Sequence, residues 1–513
     1  METKKADSRL KNTVRNTSYG IIFKIINIVG AFVSRTLLIY FLGVRYVGLD
    51  GLFTSVLSLL SMAELGFNSA IIYKLYKPIA NNDTSEVCAL LSFYKRIYRI
   101  IGVVVCVIGL SILPFLKNFI KGDVPEDVNV YTLFLVYLLN SCLTYWLFAY
   151  KTAVLSANQR EDLPNKINSI TLIIKYIVQI SLLVCFRNYY LYVIVLPLTT
   201  ILSNIGNAYM ANKFFPQYVC RGNIDKENAH DIVNKIKALF FNKLGVAIIT
   251  GSDNIIISSF LGLTILGIYD TYYYIYSMIY SIFAIAHASI TPSIGNSMVK
   301  ESKEANMTLF YRLSFINYWV VSVCAILLFC LYKPFIQLWI GVENSFDDVF
   351  SLIMSLFLFF WLYRFVVLIF KNAYGLWWPD RYRALIEAVC NVILNLIMVQ
   401  YIGIYGIMLS TLLSCVVVSI PWETRVLFSE YFNVSTRRYF KEMVLRFVLL
   451  IFMGAICYYI CHFIEIWSTL FTIVVKVVIC LIITNAILFV VYRNNDNFKY
   501  VQGLILSRIR TKK

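Results

Sequence analysis

Charge is scarce in this chain. Only 14% of its 513 residues are Asp, Glu, Lys or Arg, against 59% hydrophobic. A soluble fold of this length exposes far more charge, so the scarcity excludes one and marks an integral membrane protein. Histidine is rarer still: His230, His287 and His462 are too few and too dispersed for a metal centre. The twelve cysteines include no CxxC pair, and most lie inside apolar runs (Cys106, Cys142, Cys324, Cys330, Cys415, Cys480). They read as small buried hydrophobes, as do Cys457 and Cys461 on one helix face, and no metal site is expected. Strand-type alternation is absent, which excludes a transmembrane barrel.

What is present is a series of long apolar runs. A helix needs about 20 apolar residues to cross the hydrocarbon core. Fourteen such stretches fall near 17–42, 50–73, 100–119, 130–150, 167–186, 189–212, 238–261, 267–298, 309–332, 349–370, 384–402, 404–428, 443–462 and 467–492. The expected fold is therefore an all-α integral membrane protein of about 14 transmembrane helices. The first run is too long for a signal-peptide core and lacks a small-x-small cleavage site, so it reads as a retained helix.

Basic residues cluster in every second gap between the spans. One set includes Lys4, Lys5, Arg9, Lys11 and Arg15, then Lys74, Lys77 and Lys95, then Arg437, Arg438 and Lys441, and the tail from Arg493; the opposite gaps hold only Arg45, Lys117, Lys121, Arg187 and Lys333. The positive-inside rule then places both termini in the cytoplasm. The net charge of +18 is mostly anchoring and contact with anionic membrane lipids, not nucleic-acid binding.

A short motif recurs. Phe41-Leu42-Gly43-Val44-Arg45-Tyr46-Val47-Gly48 matches Phe260-Leu261-Gly262-Leu263-Thr264-Ile265-Leu266-Gly267 at four of eight positions, offset by 219, and Lys24 meets Lys243 at the same offset. Glycine lets the turn between two helices close tightly. The offset equals six spans, as parallel repeats require. The expected organisation is an N-terminal lobe (1–212, six spans), a cytoplasmic linker (213–237), a C-terminal lobe (238–428, six spans), an extra helix hairpin (440–492) and a basic tail (493–513). Two such bundles would enclose a cavity.

Six basic residues fall inside spans: Lys24, Arg35, Lys175, Lys243, Arg364 and Lys476; the acids there are Glu64, Asp253 and Glu387. A charge at the bilayer centre costs at least ~2.5 kcal/mol, so each must face a cavity or a partner, or snorkel outward. Lys24 and Arg35 are eleven residues apart and share a helix face with Asn27, Ala31 and Ser34 close by. The balance is cationic, which suits phosphate oxygens. The substrate-binding candidates are Lys24, Arg35, Lys243 and Arg364; Glu64, Asp253 and Glu387 are candidates for ion coupling or charge balance. Snorkelling competes as a reading for Lys24, Arg35, Lys243, Arg364 and Lys476. Asn391 and Asn395 extend a polar stripe from Glu387 that fits helix packing as well as substrate contact.

The run SRTLLIYFLGVRYVGLDGLFTSVLSLLSMAELGFNSAIIYKLYKPIA, followed by FYKRIYRIIG, and the later NVILNLIMVQYIGIYGIMLSTLLS resemble bacterial Wzx-type polysaccharide flippases of the multidrug/oligosaccharidyl-lipid/polysaccharide exporter superfamily, which handle O-antigen or capsule repeat units. The resemblance implies two six-helix bundles, alternating access and export of an undecaprenyl-pyrophosphate-linked sugar unit across the inner membrane. It implies a lipid-linked oligosaccharide as substrate, polysaccharide polymerase machinery as a further partner, and no cofactor beyond a coupling ion or proton. A lipid II flippase makes nearly the same chemical demand. A drug/cation antiporter calls for an acidic cavity, which the basic surplus opposes. Membrane glycosyl polymerases and ligases carry a large outward catalytic loop; the longest outward segments here are roughly 117–128 and 333–348.

Overall fold

The structure is a computed structural model that describes residues 2–64, 67–122, 124–224, 226–464 and 469–510, with side chains described outside 2–17, 63, 69, 226–243, 469 and 504–510. Among them every regular element is a helix, with no strand. The chain divides into two compact units, Met1–Gly267 and Ile268–Lys513.

The first unit holds α1 (Glu2–Leu42), α2 (Val44–Leu60), α3 (Phe67–Ala80), α4 (Thr84–Ile112), α5 (Val130–Trp146), α6 (Tyr150–Ala157), α7 (Asp162–Phe186), α8 (Tyr189–Phe214) and α9 (Lys226–Leu261). The part of the expected linker from Lys226 onward is thus helical. The second unit holds most of α10 (Leu263–Lys300), then α11 (Lys303–Ile340), α12 (Asp348–Tyr363), α13 (Phe365–Tyr374), α14 (Arg383–Ile402), α15 (Ile404–Ser414), α16 (Ile420–Leu427), α17 (Arg437–His462), α18 (Thr469–Tyr492) and α19 (Asp496–Arg510).

Among the described residues, twelve helices are long and apolar enough to cross a membrane, and α5 with α6, bent by 50°, makes a thirteenth. The expected fourteen is not reached because the stretch 50–73 is not one described helix. Its α-helix ends at Leu60, a 3-10 turn covers Ser61–Glu64, and α3 starts at Phe67. At 17 and 14 residues, α2 and α3 are each shorter than a span. Glu64 sits at this break, where its carboxylate accepts from the Tyr98 hydroxyl, so the acid is satisfied by protein and not presented to lipid. The spans carry apolar side chains outward, such as Val103, Val107, Ile177, Val184, Val448 and Phe452, as a hydrocarbon solvent requires.

The repeated motif has the same local geometry twice. Gly43 ends α1 at φ 101° and Gly262 ends α9 at φ 90°, a backbone region that favours glycine. Five residues on, the two copies meet. A Cβ on Gly48 would lie 2.2 Å from the Leu263 carbonyl oxygen, and a Cβ on Gly267 would lie 2.1 Å from that of Val44. Positions 44 and 263 correspond in the repeat, as do 48 and 267, so the contact is reciprocal. Between them Arg45 Nε donates to Thr264 Oγ1 at 3.2 Å, two residues separated by the repeat offset itself.

Candidate functional site

Two polar arrangements are built on the membrane-spanning helices, one in each unit. In the second unit six ionisable side chains form a buried cluster. Arg364 stands at the junction of α12 and α13, Lys371 on α13, Asp380 before α14, Arg383 and Glu387 on α14, and Glu423 on α16. Glu423 is fully buried and faces three cations: Arg383 Nε at 3.1 Å, Lys371 Nζ at 3.7 Å and Arg364 Nη1 at 3.7 Å. Lys371 also pairs with Asp380, and Arg383 with both Asp380 (3.2 Å) and Glu387 (2.7 Å). Arg364 stacks on Trp361, 4.0 Å from the ring centre. Three cations thus meet three carboxylates, and the cluster carries no net charge. Arg364 and Glu387, separate candidates by sequence, belong to this one network. Glu423 completes it; no sequence spacing pointed there, because its partners come from three other segments.

The polar stripe of α14 continues from that cluster and is spent on α15. Asn391 Nδ2 donates to Thr411 Oγ1 at 3.0 Å, Asn395 Nδ2 donates to Asn391 Oδ1 at 3.2 Å, and the Ser410 hydroxyl donates to Asn395 Oδ1. Both asparagines are wholly buried. This is interhelical hydrogen bonding of the kind that holds membrane helices together.

In the first unit a polar cavity of about 420 Å³ opens between α1, α5, α7 and α8. Each helix contributes one face. α7 supplies Asn168, Thr171 and Lys175, spaced by three and four residues; α8 supplies Thr199, Thr200, Ser203 and Asn204; α5 supplies Asn140 and Thr144; α1 supplies Asn27. Among the described lining residues Lys175 is the one charged side chain. It stands near the middle of α7, over the ring of Tyr176 at 4.4 Å from its centre. Among the described residues no carboxylate lies within 4.0 Å of it. Asp50, the acid whose field reaches it, accepts from the Tyr137 hydroxyl instead.

Internal hydrogen bonds set the polarity of this lining. The carboxamide oxygen of Asn27 accepts from Tyr176 Oη at 3.0 Å, that of Asn140 from Thr200 Oγ1 at 2.7 Å, and that of Asn168 from Ser203 Oγ at 2.6 Å and Asn207 Nδ2 at 3.2 Å. Each amide oxygen therefore already has at least one donor, while the Nδ2 groups of Asn27, Asn140 and Asn168 donate to no described residue. Thr144, Thr171 and Thr199 give their protons to backbone carbonyls and keep their lone pairs. The cavity therefore offers amide donors and one ammonium, with hydroxyl acceptors between them.

The remaining candidates are placed as follows. Lys24 and Arg35 are half-buried on α1, and neither lines the cavity. Their neighbours Asn27 and Ser34 turn into the first unit, Ser34 against Tyr192 Oη at 2.9 Å, and Arg35 is near enough to Tyr192 to act on it electrostatically. Asp253 is buried on α9, and the side chain of Lys243 lies outside the described residues. Thus Lys24, Arg35, Glu64 and Asp253 belong to the first unit, and Arg364 and Glu387 to the second. A further grouping was invisible in the sequence: the thiols of Cys330, Cys461 and Cys480, from α11, α17 and α18, lie within 4.8 Å of one another. Spacing rules do not find donors drawn from three helices.

The sequence profile described as Polysaccharide biosynthesis protein matches residues 13–298. No curated protein sequence matches the chain. Among solved structures, the chain is similar to the lipid II flippase MurJ in an inward closed conformation, with TM-score 0.66 and 14% identity over 94% of this chain and 99% of that one. It is similar to a multidrug resistance MATE family transporter of the MOP superfamily in an inward-facing conformation, with TM-score 0.61 and 14% identity over 80% and 96% of the two chains. A Vibrio cholerae MATE transporter, VcmN, gives TM-score 0.55 and 14% identity over 84% and 98%. The likeness establishes the fold, an all-α bundle architecture shared with these solved transporters.

Proposed function

We propose, from the premise that this chain belongs to the polysaccharide biosynthesis protein family, that it is a flippase moving undecaprenyl-pyrophosphate-linked oligosaccharide repeat units across the bacterial inner membrane by alternating access. The observation that carries the reading is the cavity of the first unit: a donor-rich, singly cationic chamber whose lysine stands near the middle of α7, suited to sugar hydroxyls and an anionic group. In this reading Lys24, Arg35 and Lys243 hold the pyrophosphate, the isoprenoid tail stays in lipid, and the termini are cytoplasmic. Arg364 and Glu387 act through the neutral cluster as positioning residues. Glu64 and Asp253 are the candidate carriers of a coupling ion or proton.

A lining of amide donors and a lysine disfavours an organic cation, which separates this reading from a drug/cation antiporter. A lipid II flippase is the second reading; its head group is also a lipid-linked pyrophosphoryl sugar, and the solved flippase MurJ has this fold. The test is reconstitution into liposomes, with side-to-side transfer measured for a lipid-linked pyrophosphoryl oligosaccharide and for lipid II in parallel. Transfer of the oligosaccharide by the native chain, abolished when Lys24 and Arg35 are both neutralised in a protein still inserted in the membrane, is the expected result. No transfer by the native chain overturns the function. Undiminished transfer by the double variant overturns the assigned pyrophosphate site, and preference for lipid II selects the second reading.

A further inference from the structure

We infer that the cavity of the first unit is a recognition site for an acidic monosaccharide, a sugar ring bearing one carboxylate. The inference rests on the flippase reading above and narrows its substrate class. Three features support it. First, the charge count is one: Lys175 is the single ionisable lining residue among those described. One ammonium matches one carboxylate, whereas a pyrophosphate would bring at least one further negative charge with no cation in the lining to meet it.

Second, the neutral groups have fixed direction. With the oxygens of Asn27, Asn140 and Asn168 already accepting from Tyr176, Thr200 and Ser203, the wholly unused groups of these residues are their NH2 ends. A ligand that brings acceptors to the amides and donors to the threonine oxygens therefore satisfies the lining best. A carboxylate with ring hydroxyls does both, while a bare inorganic anion leaves the hydroxyl acceptors unused. Third, a space of about 420 Å³ exceeds the ~30 Å³ share of one water many times over, so it fits a ring and not merely an ion.

The experiment uses the purified full-length protein in detergent and measures binding by titration calorimetry. Glucuronate is the probe, with glucose, inorganic phosphate and chloride as separate arms. Saturable binding of glucuronate, about tenfold tighter than glucose, is expected from one charge-assisted contact. Lys175→Met should bring glucuronate down to the glucose level, and Lys175→Arg should retain the preference for the acid. Asn140→Leu should weaken both sugars alike without altering their ratio, which gives a second readout at a residue that leaves the charge in place. Equal binding of glucose and glucuronate, or a preference unchanged in Lys175→Met, overturns the proposal. Phosphate or chloride displacing glucuronate at equal concentration assigns the cavity to a small anion and overturns it as well. Binding is read without transport, so failure here leaves liposome transfer standing, and failure of transfer leaves the binding result standing.

Discussion

Replacing Glu423 by Gln is the sharpest perturbation of the second unit. The side chain keeps its size but loses its charge, and Arg364, Lys371 and Arg383 then face only Asp380 and Glu387. One positive charge is left without compensation among side chains that are almost wholly buried. Breaking a buried ion pair by removing one partner costs about 3–5 kcal/mol. For a unit of this size, at about 2–4 °C per kcal/mol, the thermal transition should fall by roughly 10 °C. The assay is thermal unfolding of the detergent-solubilised protein, followed by loss of its monodisperse size-exclusion peak. The charge argument makes a second demand. Adding Lys371→Met to Glu423→Gln leaves two cations against two carboxylates, so the double variant should be more stable than Glu423→Gln alone by more than ~1 kcal/mol, the coupling expected of side chains that share a network. If the two substitutions simply add, charge balance is not what holds the cluster, and the reasoning fails.

Three further outcomes follow from the geometry. Gly48→Ala and Gly267→Ala should each destabilise by about 1–3 kcal/mol through forced overpacking, and by similar amounts because their contacts are reciprocal; a neutral result for either, in the same thermal assay, would contradict the close approach. Mild oxidation should join Cys461 to Cys480, whose sulfurs are 3.6 Å apart, and proteolysis should then release α17 and α18 peptides linked by a reducible bond; unlinked peptides would count against that helix pairing. Asn391→Leu should cost about 1 kcal/mol in stability and leave sugar binding unaffected, since the interhelical bonds it loses are of the size measured in membrane bundles; altered glucuronate affinity would show that the stripe reaches the ligand.

The spans were legible because apolar length and the distribution of basic residues report directly on lipid. The helix break at the glycines of the repeat was legible too, since few residues other than glycine adopt those backbone angles. The interruption of the stretch 50–73 was not, because a hydropathy count sees the apolar neighbours of Glu64 and not the Tyr98 hydroxyl that draws it inward. Facing was the main loss. Lys175 was visible as a charge within a span, but the cavity appears only when the polar faces of α1, α5, α7 and α8 are set around a common space. Arg364 was visible for the same reason, while its neutralisation depends on Glu423, some sixty residues away. The thiol group on α11, α17 and α18 likewise needs three-dimensional packing that no linear spacing encodes.

The glycine seam in the first unit carries an implication for substitution. Arg45 and Thr264 hold equivalent places in the two copies of the motif, and one donates to the other. Were the two alike, like would confront like: two guanidinium groups repelling, or two short hydroxyls with a gap between them. Donor on one side and acceptor on the other resolve the conflict, so a change at either position calls for an answering change across the seam.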